Sequence, residues 1–314
     1  MPGLLAVFRK ELADHLGSKR FVILFALIFF TALSATYVAA QSVRDDLLGA
    51  NAASSFVFLR LFTASNGNLP PFIAFIGFLG PLVGLALGFD AINSEQARGT
   101  LSRVLSQPIF RDSVINGKFL AGVATVAAMI FATGLIVAGM GLRLLGVPPT
   151  IDEISRMVAF LALSVVYVAF WMGLAILFSI FFRQTATSAL AGMAVWIFCT
   201  FFVAMIAGVV ADAVFSPAGE EDIEGLLFHE NAKLMMSRVS PTTLYQEVTV
   251  TILTPNVRTL GPVLVRDVMG MISSPLPLAQ SLMVVWPQLV GMVALTLICF
   301  AVSYIRFMRQ EIRA

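Results

Sequence analysis

The sequence has 314 residues, of which 59% are hydrophobic and 12% charged, against about 25% charged in an ordinary soluble domain. So apolar a chain reads as membrane-embedded, and its net charge of +2 is dispersed rather than gathered, which argues against a nucleic-acid-binding face. Its two cysteines, Cys199 and Cys299, sit in apolar runs without CxxC or Cys/His spacing; they read as small buried hydrophobes rather than a disulfide or zinc site.

A bilayer core about 30 Å thick requires about 20 mostly apolar residues in helical form, and six runs free of Asp, Glu, Lys, Arg and His meet that length. Ahead of the first, residues 4–16 place Leu4, Leu5, Phe8, Leu12 and Leu16 near helical spacing, with Arg9, Lys10, Glu11 and Asp14 elsewhere around the wheel. This predicts an amphipathic helix in the inner interface; the plainer alternative is a positively charged flank of the first span. The first run, 21–40, is longer than the roughly 7–15-residue core of a cleaved signal peptide and reads as a retained span. Residues 41–69 form an outer loop with turn residues Asn66, Gly67 and Asn68, and its apolar patch at 56–62 is expected to touch the membrane surface.

The second run, 71–89, carries Gly77, Gly80, Gly84 and Gly88 at three- and four-residue spacing. Such a strip lets another helix approach closely, either at a dimer interface or within one chain. In the inner loop 90–118, Leu101, Val104 and Leu105 form an apolar stripe flanked by Arg98 and Arg103, and Pro108 stops the short helix. That helix is either a docking peg for a partner or a plain interfacial helix.

Runs 119–142 and 157–182 are joined by a short outer turn, and residues 183–184 lead directly into the fifth run, 185–211; connections this short force antiparallel neighbours. Segment 212–280 opens acidic and shows helical patterns at 226–239, 242–253 and 257–272 between prolines, predicting short helices packed over the outer mouth. The sixth run is 281–305. Alternating the loops puts twelve Lys and Arg on the side of the termini and eight on the other, so the positive-inside rule places both termini in the cytoplasm.

The expected fold is thus an all-α protein of the inner membrane with six transmembrane helices. Residues 1–20 form an interfacial segment, 21–211 hold spans one to five, 212–280 are extracytoplasmic, 281–305 form span six and 306–314 a cytoplasmic tail. No GxxxxGK[ST] loop is present, since Gly117–Lys118 is followed by Phe119 and lacks the upstream glycine. The spans also lack the ionisable groups that ion-coupled carriers keep at membrane depth. His229–Glu230 has no second histidine at HExxH spacing and no GxSxG occurs, so neither a catalytic nor a metal site is expected.

Glu95, Gly99-Thr100-Leu101, Leu105, Pro108, Arg111 and Gly117-Lys118 resemble the loop between the second and third spans of ABC-type-2 transporter permeases, which follows E-x-x-x-G-T-L-x-x-x-L-x-x-P, a basic residue, then G-K. The resemblance implies a dimer of six-span subunits, each holding a separate cytoplasmic ATPase that binds ATP and Mg, through this loop and the amino-terminal helix. It places Glu95, Arg98, Gly99, Thr100, Leu101, Leu105 and Pro108 at or near the ATPase contact, transmitting force rather than catalysing, and it favours export. The segment between spans five and six is longer than is usual there, and Ser240-Pro241-Thr242-Thr243-Leu244-Tyr245 is similar to a stretch in the branch that includes permeases of nitrous-oxide-reductase maturation. The other class of function is a non-transporting scaffold or sensor whose outer segment binds an extracytoplasmic partner.

Overall fold

The computed structural model describes residues 2–48, 56–65, 67, 69–215, 223–260 and 275–310, and its regular structure is entirely helical. Six of its helices are long and apolar enough to cross a membrane, so the chain is an all-α membrane protein. It divides into two compact units, residues 1–193 with 293–314, and residues 194–292.

The first unit begins with α1 (Pro2–Leu16) and α2 (Lys19–Leu48), followed by the single turn α3 (Arg60–Thr63) and by α4 (Phe72–Gly88). Two short helices, α5 (Asn93–Ala97) and α6 (Thr100–Leu105), lead to the long α7 (Arg111–Leu145) and α8 (Ile151–Phe181). At its centre α4 lies against α8. A Cβ at Gly84 would stand 2.6 Å from the Val168 carbonyl oxygen, and one at Gly88 2.6 Å from that of Met172. A Cβ at Gly80 would meet the Val168 side chain, and the Gly77 carbonyl accepts a hydrogen bond from Tyr167 at 2.9 Å. The strip therefore serves packing within the chain: backbone meets backbone where only glycine fits.

α8 starts at a capping box, in which Thr150 accepts from the Glu153 N–H while the Glu153 carboxylate accepts from Thr150 N–H. The same carboxylate accepts the Phe58 N–H at 2.9 Å, and the Phe62 ring packs edge-on against Phe72 and Phe160. Phe58, Leu59, Leu61 and Phe62 are consequently buried in protein. This corrects the expectation that the 56–62 patch touches the membrane surface: α8 and α4 supply an apolar seat, and Glu153 satisfies the backbone donor that enters it. Of the turn residues expected nearby, Gly67 adopts φ +82°, while Asn66 and Asn68 lie outside the described residues.

The second unit holds the end of α9 (Thr185–Ile197), a π-helical turn at Phe198–Phe202 and α10 (Val203–Val214), then α11 (Ile223–Ser237), α12 (Pro241–Leu253) and α13 (Leu278–Val284). Ser240 caps α12 by accepting the Thr242 N–H and donates its hydroxyl to the Cys199 carbonyl at 2.7 Å. Arg238 Nε lies 3.0 Å from both oxygens of Glu247, of which Oε2 also accepts from Gln288 Nε2 at 2.9 Å. Two of the three helical patterns expected in 212–280 are present, and most of the third, 257–272, lies outside the described residues.

The last long helix, α14 (Trp286–Arg309), starts later than the expected 281. Pro287 can donate no backbone hydrogen bond to a preceding turn, so the apolar run breaks at Val285 and the piece before it is α13.

Candidate functional site

The segment from Phe89 to Phe110 is fastened to four helices. The N–H groups of Ile92 and Asn93 both donate to Ser179 Oγ on α8, at 2.9 and 3.1 Å, and the Asn93 amide donates to the carbonyls of Phe89 and Phe182. Arg20 of α2 pairs with Asp90 at 2.6 Å and stacks over the Phe89 ring. Lys118 of α7 reaches Glu95 at 2.8 Å and Glu11 of α1 at 3.0 Å. A further lysine, Lys10, lies 2.9 Å from Glu11 and 3.4 Å from Asp14. A cavity of about 400 Å³ opens among these groups, with His15 and Arg98 on its wall.

The Lys118 side chain is 6% exposed, Glu11 12% and Glu95 18%, so water screens these charges little and each must be matched by its neighbours. Burial pushes the Glu11 carboxyl up, but Lys118 and Lys10 outweigh it and hold the group below its ordinary value. Burial likewise pulls the Lys10 ammonium down, and its carboxylate neighbours, Glu11 foremost, carry it above its ordinary value. Burial lowers the His15 imidazole despite the surrounding acids.

The motif residues occupy distinct places. Glu95 points inward to Lys118, so two residues that stand 23 apart in the sequence motif are an ion pair. Arg98 is exposed, and Gly99 takes φ +66°, the left-handed turn that separates α5 from α6. The Thr100 hydroxyl bridges that turn by donating to the Glu95 carbonyl at 3.2 Å. Leu101 is 1% exposed and anchors α6 from beneath. Leu105 closes α6, with its side chain outside the described residues, as is that of Val104. Arg103, Ser106, Gln107 and Pro108 are exposed, and Phe110 presents an aromatic ring that is 80% exposed.

Sequence reasoning set Glu11 among the polar positions of α1. In the structure it shares the buried stripe with Val7, four residues earlier, while Leu5 and Leu16 are exposed. It also passed over Arg20, Ser179 and Phe110. A signal for Glu11 existed in its helical register with Val7; nothing local marks Ser179, which is one serine in an apolar run. Among the described residues no group of three or more His, Cys, Asp or Glu gathers to hold a metal ion.

The chain matches the family described as ABC-2 family transporter protein over residues 5–312. It belongs to that family. Within the ABC-2 family it is similar to a protein of Pseudomonas aeruginosa described as "Probable ABC transporter permease protein NosY", 30% identical over 161 residues, which are 51% of this chain and 52% of the relative. A protein of Stutzerimonas stutzeri with the same description is 30% identical over 139 residues, 44% of this chain and 45% of the relative. The chain thus spans about half the length of the curated relatives it matches.

Proposed function

We propose that the chain is the membrane-spanning permease subunit of an ATP-driven exporter, and that a separate cytoplasmic ATPase carrying ATP and Mg docks on the face formed by Arg98, Gly99, Thr100, Arg103, Pro108 and Phe110, with Glu95, Leu101 and Leu105 at or near the contact. The observation that carries this reading is a loop with an exposed basic and aromatic tip whose base is tied to α1, α2, α7 and α8. A push on the tip reaches four helices through short polar contacts, as a conformational change driven by nucleotide requires.

In this reading both termini are cytoplasmic, α1 lies in the inner interface with Leu5 and Leu16 toward lipid, and two copies form a homodimer in the inner membrane. The helices of 223–253 form the extracytoplasmic part and offer a surface to an extracytoplasmic partner protein. The relatives' description as permeases supports the transporter assignment, and within it a species for metalloenzyme maturation is the alternative cargo to a drug or lipid.

Gentle extraction of the native complex and mass spectrometry of its polypeptides test the reading. A stoichiometric chain with a GxxxxGK[ST] motif is expected, lost on Arg98→Glu with Arg103→Glu. Recovery of extracytoplasmic partners alone, with no ATPase, would favour the scaffold function instead.

A further inference from the structure

We propose that Lys118 is a clasp that makes the 89–110 loop and α1 move as one body, and that Lys118 is therefore a positioning residue for energy coupling. The inference rests on reading the loop as the ATPase contact and adds how its motion is shared.

A single buried ammonium holds carboxylates from two elements remote in sequence, Glu11 of α1 at 3.0 Å and Glu95 of α5 at 2.8 Å. Lys10 approaches the same Oε1 atoms, at 2.9 and 4.0 Å, and closes the cluster on its exposed side. One residue earlier, a Cβ at Gly117 would stand 2.7 Å from Val7 Cγ1 and 3.3 Å from the Phe8 nitrogen. The helices α1 and α7 therefore meet without slack at the level of the clasp, and α1 cannot slide independently of α7 there.

Two carboxylates around one ammonium tie the loop and α1 to the same group, so that parting either from Lys118 would leave a largely buried carboxylate without its partner. Glu95 Oε2 is buried and without a hydrogen-bond donor, so this carboxylate can rotate and take the ammonium through its other oxygen as α5 moves. The remaining fastenings, Asp90 to Arg20 and Ile92 and Asn93 to Ser179, lie nearer the start of the loop and act as its hinge. Lys118 is the short, buried polar link between the moving part and α1, and Lys10 of α1 adds a longer, exposed one to Glu95.

The test compares the wild type, Lys118→Met, Lys118→Arg and Glu11→Gln in the full chain, reconstituted with its ATPase and spin-labelled at the exposed positions Leu5 and Ala97. In Lys118→Met the ATPase is expected to remain bound, because the exposed face is untouched. The membrane subunit's effect on ATP turnover should fall about tenfold, in the range of an ordinary coupling between sites, and the distance distribution between the labels should broaden. Lys118→Arg should restore both, and Glu11→Gln should broaden the distribution while leaving the melting temperature closer to wild type than Lys118→Met does. A distribution unchanged in Lys118→Met and Glu11→Gln, or Lys118→Arg no better than Lys118→Met, overturns the clasp. If the wild-type chain binds no ATPase, the proposed function fails by itself, and the label distances in the isolated chain still decide whether the clasp holds loop and helix together.

Discussion

Gly84→Ala is the sharpest probe of how the centre of the first unit is built. A Cβ there would lie 2.6 Å from the Val168 carbonyl oxygen, 2.9 Å from the Met172 nitrogen and 3.0 Å from Trp171 Cβ, the nearest of them about 1 Å inside the roughly 3.5 Å of ordinary contact. The first two are backbone atoms of α8 and cannot rotate aside, so α4 and α8 must separate along the whole strip. Overpacking of this kind costs about 1–3 kcal/mol, and the better helix propensity of alanine offsets about 0.5–1 kcal/mol of it. A net loss of about 1 kcal/mol lowers the melting temperature of the purified protein by about 2–4 °C. Gly139→Ala in α7 is the control: among the described residues no atom outside its own helical backbone lies within 4 Å of its added methyl, so only the helix-propensity gain of about 0.5–1 kcal/mol remains and melting should rise slightly. Equal shifts of the same sign for the two variants in a fluorescence melt would refute backbone-level packing of α4 on α8.

Glu153→Ala removes the capping box and leaves the buried Phe58 N–H without an acceptor, costing about 1 kcal/mol for the cap and about 1–3 kcal/mol for the orphaned donor; hydrogen exchange at residues 56–63 should rise, and an unchanged rate would refute it. Ser179→Ala strips the shared acceptor of Ile92 and Asn93, so proteolysis at residues 97–110 should accelerate while the remainder of the chain stays protected. Acidification should loosen α1. The Glu11 carboxyl is lowered in the fold, so the unfolded chain protonates first, and the stabilisation present above its ordinary 4.5 disappears as pH falls through the folded value. The imidazole of His15 is lowered from 6.5, so its contribution is complete above that pH and declines below it, whereas Lys10, raised above 10.5, weakens the fold only at higher pH. Melting temperature should thus be level between about pH 6.5 and 10.5 and fall in acid; Glu11→Gln should flatten the lower part of that fall and His15→Gln the upper, and a profile unchanged in both would refute the assignment.

The spans were legible because charge-free runs of membrane length are set by solvent alone and need no tertiary information. The breadth of the apolar run hid the interruption at Val285, although Pro287 stood in plain view. Burial of the 56–62 patch was illegible because its acceptor, Glu153, and its ring partner, Phe160, come from α8, the acceptor 95 residues downstream. In the loop, the motif located Glu95 and Lys118 yet said nothing of their pairing, and it gave Glu11 no part. Side-chain direction on α1 is settled by which charge waits on α7, and that is a property of two helices together rather than of either wheel.

At 35 residues α7 is a rod about 52 Å long. Lys118 stands near one end, while at the other Gly141 receives the Leu61 side chain beneath the seat of α3. A stiff rod held at both ends is a lever: a tilt of about 5° about its middle displaces each end by about 2 Å in opposite directions, with no change in its own length or hydrogen bonds. A disturbance of the clasp can therefore be read at the far rim of the protein without any chain of intervening side-chain rearrangements.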